Sequence, residues 1–114
     1  MTELIPLPTP NGIIEKLEEC RRRYGWCWLG LDPLQKGHAI NKVASILNRC
    51  WGDTIRPYLL GKPWRNPMKF LQDILGDESK REYRAFSQWM LGGLDTKSFI
   101  EYIAFIVTSY LKAR

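Results

Sequence analysis

The apolar residues of this chain recur every three or four positions wherever they gather, and that spacing leaves few folds open to it. Ile40, Val43, Ala44, Leu47, Cys50 and Trp51 follow the rule over His38–Trp51, and Phe99, Ile100, Ile103, Ile106, Val107, Tyr110 and Leu111 follow it near the end. Such spacing draws one apolar stripe along a helix. Hardly any segment alternates with period two, and no tight turn joins two β-branched runs, so the pattern provides no strands. The reading is an all-α protein, a compact bundle of about five helices.

Prolines, glycines and capping residues divide that bundle. The first ten residues, MTELIPLPTP, hold three prolines and cannot form a regular helix. Residues 1–10 are therefore an extended N-terminal arm, loosely ordered or packed through Leu4, Ile5 and Leu7. Residues 11–114 form a single helical domain, since 114 residues suffice for one core.

Asn11 is expected to cap a helix carrying Ile13, Ile14, Leu17, Cys20 and Tyr24. Glu15, Glu18 and Glu19 come early in it and Arg21–Arg23 last, an order that complements the helix dipole and accounts for the Arg triplet. Gly25–Gly37 reads as a connection that Asp32-Pro33 keeps from being helical, its Trp26, Trp28, Leu29 and Leu31 folding onto the core. Gly52 is expected to end the His38–Trp51 helix, and Asp53 to cap a short turn or helix over Thr54–Leu60. Asn66 caps the next helix with Pro67 at its first position and Gly76 after it; Phe70, Leu71, Ile74 and Leu75 face inward. Asp77 caps a fourth, with Tyr83, Phe86, Trp89 and Met90 inside and Lys80, Arg81 and Arg84 outside, stopped by Gly92-Gly93. Asp95 caps the last.

Catalysis finds little support. His38 is the only histidine, at a helix start that suits a capping or surface role. Cys20, Cys27 and Cys50 are odd in number, show no paired metal-ligand spacing and sit among apolar neighbours, so they read as free, inert thiols of a reducing cytoplasm. No phosphate-cradling glycine motif, zinc motif or nucleophile elbow occurs. The expectation is no enzyme, no metal and no cofactor. The longest apolar run, Phe99–Leu111, contains Glu101 and is too short to span a bilayer, so no membrane partner is expected.

One stretch points outward. Arg49–Lys69 sets Arg49, Arg56, Lys62, Arg65 and Lys69 against a single acid, Asp53, with Trp51, Tyr58 and Trp64 among them. Cations hold phosphates and flat rings stack on unpaired bases, a combination suited to single-stranded nucleic acid. Trp51 falls on the apolar stripe and reads as core. Trp64, in a Lys-Pro-Trp-Arg-Asn-Pro loop, reads as partly exposed, with Arg65 beside it to hold a phosphate. A second basic strip, Lys80, Arg81 and Arg84, follows one helix surface. The net charge of +5 favours anionic partners without deciding among them.

The helical layout and the C-terminal helix SFIEYIAFIVTSYLKAR, with Phe99, Tyr102, Ile103 and Tyr110 followed by Lys112, resemble the small helical subunit of multi-subunit CRISPR effector complexes. The Pro-rich arm and the GWCWLGLDPL loop have no counterpart there. The resemblance implies a compact helical protein that stacks within a larger assembly and supports guide RNA or target strand on a basic helix face, without catalysis; here that face is Lys80, Arg81 and Arg84. The expected function is thus a non-enzymatic subunit binding single-stranded RNA or DNA, RNA foremost, alongside other protein subunits of a complex. Its nucleic-acid contacts would be Arg56, Lys62, Trp64, Arg65, Lys69, Lys80, Arg81 and Arg84. The alternative is a protein-interaction module with a Trp-rich docking surface, since interfaces favour Trp, Tyr and Arg.

Overall fold

Proline and aspartate set where the longest helix starts. In a computed structural model that describes residues 5–112, the Asp32 side chain accepts a hydrogen bond from the Gln35 amide at 2.8 Å, and Pro33 takes the first helical position. Pro33 there needs no amide partner and is pre-set for helix. The pair expected to break helix instead opens α2, which runs unbroken over Pro33–Ile55. Gly52 does not stop it. A Cβ there would meet Asn48 Oδ1, one turn back, at 2.7 Å and would sit at ordinary contact distance, 3.9 Å, from Pro67, so this buried glycine makes room for the Asn48 side chain. Asp53 accordingly lies inside α2 and caps nothing. The helix yields to a short 3-10 turn over Arg56–Leu59, where Pro57 disfavours further α-helix.

The remaining elements are α1 (Asn11–Tyr24), a 3-10 turn (Gly25–Gly30), α3 (Pro67–Gly76), α4 (Arg81–Met90) and α5 (Thr96–Lys112). Among the described residues there are five α-helices and no strand, as the spacing predicts. Pro10 takes the N-cap position of α1 and Asn11 is its first helical residue; the Asn11 side chain, expected to cap, lies outside what is described. Asn66 does cap α3, accepting from the Lys69 amide at 2.8 Å, and Asp95 caps α5 through the Ser98 amide at 3.1 Å. Asp77 does not cap α4. It accepts from the amide and hydroxyl of Ser79 in a tight turn, and α4 begins later, after Lys80.

The core takes side chains from every helix. Trp28, Trp51, Trp89, Phe70, Phe86 and Phe99 are all fully buried. Trp89 stacks on Phe99 with centroids 4.5 Å apart, and Phe86 meets both edge-on. Such pairs add about 0.5–1.5 kcal/mol each beyond the area they bury. The N-terminal arm belongs to this core. Ile5 is buried and donates its amide to Thr108 Oγ1 at 3.1 Å, while the Pro8 carbonyl accepts from Trp51 Nε1 at 2.7 Å. Leu4, expected to share in that packing, lies outside the described residues.

Polar links tie the helices together where burial would otherwise leave groups unpaired. Trp89 Nε1 donates to Thr96 Oγ1, whose hydroxyl in turn donates to Glu18 Oε1, joining α4, α5 and α1. Trp28 Nε1 donates to Ser87 Oγ at 3.2 Å. Its neighbours behave differently: Trp26 and Leu29, expected to fold onto the core with it, stand out in solvent. The 3-10 turn is six residues long and kinked at Cys27, too short to bury both its sides.

Candidate nucleic-acid interface

Residues seven apart on a helix lie on nearly the same face. Lys16 and Arg23 stand so on α1, and Lys42 and Arg49 on α2. All four are exposed, and together they line a cavity of about 260 Å³ between the two helices. Glu19 is the one acid on its wall; Tyr24, Ser45 and Ile46 complete most of the rest. No ion pair among the described residues involves any of the four cations, and Arg23 lies instead 5.7 Å from the centre of the Tyr24 ring. Gathered like charges raise the local potential and favour an anion that relieves their repulsion.

Cys20 forms part of the floor. Burial pushes its thiol up from 9.0 to about 11, against the opposing pull of Lys42 and Arg23. Both helices thus bring a cation near one sulfur, and the sulfur stays a neutral thiol at physiological pH. It is a packing group and not a nucleophile.

The groove continues the basic segment singled out in the sequence. Arg56 lies seven residues beyond Arg49, still in helical backbone, so Lys42, Arg49 and Arg56 form a stripe about 21 Å long at 1.5 Å per residue. The rest of that segment is arranged differently. Trp64 is half-buried, edge-on to Phe70 at 4.7 Å and to Tyr110 at 6.5 Å. Its ring faces are therefore less free for a base than the loop composition suggests. Arg65 is exposed beside it; Lys69 is exposed and reaches Asp73 at 3.8 Å; Lys62 is half-buried in the turn.

The second strip meets this loop through a single ring. Lys80 Nζ lies 4.9 Å from the centre of Tyr110, the same ring that Trp64 meets. Lys80 is thus half-buried rather than outside, while Arg81 and Arg84 are exposed. Lys80 and the Trp64 loop share one end of the bundle.

The freest aromatic ring belongs to Trp26, 84% exposed. It lines a shallow cleft with Arg21, Arg22, Met90, Leu91 and Gly92. The Arg triplet is thereby divided: Arg21, paired with Glu18 at 3.6 Å, and Arg22 line the Trp26 cleft, whereas Arg23 lines the α1–α2 groove. Successive helix residues point about 100° apart, so three adjacent arginines are shared between two surroundings. The paired seven-residue spacings of Lys16/Arg23 and Lys42/Arg49 were present in the sequence; only the packing of α1 on α2 makes them one site.

Among the described residues no three His, Cys, Asp or Glu side chains gather to hold a metal ion, and no helix is long and apolar enough to cross a membrane. His38 is exposed. Comparison with protein-family models, curated proteins and solved structures finds no match to this chain.

Proposed function

We propose that this protein is a non-enzymatic binding subunit for single-stranded nucleic acid, RNA foremost, whose phosphates lie along the α1–α2 groove. The observation that carries the reading is the gathering of Lys16, Arg23, Lys42 and Arg49 around one cavity without ion-pair partners. Cations held in that state release their counterions when a polyanion binds. Arg56 extends the track, and Trp26 beside Arg22 offers a ring on which a base can stack. The assembly role follows the resemblance to small helical subunits of CRISPR effector complexes: a basic face supporting a strand, with other surfaces against neighbouring subunits.

A labelled single-stranded RNA titrated with the protein across a salt series tests this. Binding that weakens steeply with added salt, with a log–log slope of about −3 for four phosphate contacts, is the expected result, accompanied by quenching of tryptophan fluorescence. Salt-independent binding would overturn it.

The exposed apolar residues favour a second reading. Trp26, Leu29, Leu34 and Leu91 are all more than half exposed, and large apolar groups in water suit a protein partner better than a phosphate chain. On that reading the protein is an interaction module, and Trp26→Ala abolishes association with the partner while groove reversals leave it intact.

A further inference from the structure

Glu82 occupies the first turn of α4, only 4% exposed, and its Oε2 is buried without a hydrogen-bond partner. The helix dipole favours negative charge at that position, yet no donor among the described residues reaches the oxygen. No ion pair reaches it either. Arg81, next in the chain, is exposed and lines the same groove, yet makes no ion pair with Glu82. Lys80 places its ammonium over the Tyr110 ring instead. A buried carboxylate left in this state is unfavourable unless something outside the chain completes it.

Its surroundings indicate what. Glu82 and Arg81 line a groove of about 320 Å³ between α4 and α5, walled by Tyr102, Phe105, Ile106, Ser109 and Tyr110. Phe105 is 59% exposed. Aromatic faces attract cations, and an arginine guanidinium both stacks on such rings and pairs with a carboxylate through two parallel N–H bonds. An ammonium is more strongly hydrated and lacks the planar fork. A divalent metal is disfavoured, since no second acidic or imidazole ligand gathers there. The groove is also open at Phe105, whereas small-molecule sites enclose most of their ligand. An arginine on a polypeptide needs to insert only its side chain.

We propose that the α4–α5 groove receives an arginine side chain of a partner polypeptide, its guanidinium paired with Glu82 and stacked among Tyr102, Phe105 and Tyr110. The site lies on a different helix pair from the α1–α2 groove, and its test involves no nucleic acid.

The probe is N-acetylarginine methylamide, which mimics one arginine within a chain, titrated into isotopically labelled protein while backbone amide signals are followed. Saturable shifts confined to α4 and to Tyr102–Tyr110 of α5 are expected. The citrulline counterpart, equal in shape but uncharged, should bind at least about tenfold more weakly. Glu82→Gln should lose affinity by a similar factor, and Phe105→Ala several-fold, as an exposed residue whose loss leaves the core intact. Glu82→Gln should also melt no lower than the parent protein, because Oε2 has no hydrogen bond within the fold to lose. The proposal is overturned if citrulline binds as well as arginine, if Glu82→Gln leaves arginine binding unchanged, or if Glu82→Gln lowers the melting temperature. The last result would show that the fold itself satisfies the carboxylate. Absence of any shift at about 50 mM probe, well above a Kd of a few millimolar, would overturn it too.

Discussion

Lys16, Arg23, Lys42 and Arg49 stand exposed around the α1–α2 groove, whereas Glu82, in the lining of the α4–α5 groove, is only 4% exposed with one oxygen unpartnered. Exposed charges keep most of their hydration, so gathering four of them takes little from stability. A buried charge surrenders its hydration and must recover that loss from a partner. On the proposed reading, the first groove favours an anion at little cost to folding. The second holds a polar group whose burial costs the fold something that the proposed partner would recover. Stability and binding separate cleanly between the two sites.

The largest expected effect breaks the comparison if it fails. Lys42→Glu combined with Arg49→Glu should weaken single-stranded RNA binding by on the order of 100-fold at low salt. Unfolding free energy should move within about 0.5 kcal/mol, as for other surface substitutions, checked by urea denaturation. A large stability loss would mean that the groove cations hold the fold together.

Two carboxylates sharpen the contrast from the buried side. Glu18 accepts from Thr96, which also accepts from Trp89 Nε1. Thr96→Val removes both links and should destabilise by about 1–3 kcal/mol. Glu82→Leu removes an unpartnered buried polar group and should stabilise by about 1 kcal/mol. Chemical denaturation of both variants reads the opposite signs directly, and equal signs would show that Glu82 is as well satisfied as Glu18.

The smallest effect concerns the groove floor. The folded Cys20 thiol is raised from 9.0 to about 11, first by burial. The stability linked to that raised value is fully present below pH 9 and is lost as pH climbs through about 11. Cys20→Ala should therefore show a shallower decline in melting temperature over that window. At pH 8, alkylation of Cys20 should be much slower than that of the less buried Cys27 and Cys50.

The helical architecture was legible because local signals and tertiary packing agree. Asn66-Pro67 and Asp95 cap as their side chains dictate, and the Ile40–Trp51 and Phe99–Leu111 stripes face inward. The misreadings share one cause: a residue with two uses whose choice is tertiary. Asp32-Pro33 can break a helix or open one, and Gly52 can stop a helix or make room within one for the Asn48 side chain. Trp26 and Trp28 have nearly the same local context, yet Ser87 receives only the second. Glu82 sits in a strip of Lys80, Arg81 and Arg84 that looks uniformly solvated, and only its packing against α5 buries it. The α1–α2 site was half legible, since the seven-residue spacings are in the sequence but the pairing of the helices is not.

The most direct test of the central claim compares two charge reversals in the RNA salt series, Lys42→Glu/Arg49→Glu in the groove and Lys62→Glu/Arg65→Glu in the Trp64 loop. The groove reversal should remove two phosphate contacts and reduce the magnitude of the log–log slope by about 1.4, at roughly 0.7 per contact on a single strand. The loop reversal should leave the slope nearly unchanged. A larger loss from the loop, or no binding by the parent protein even at low salt, would contradict the account.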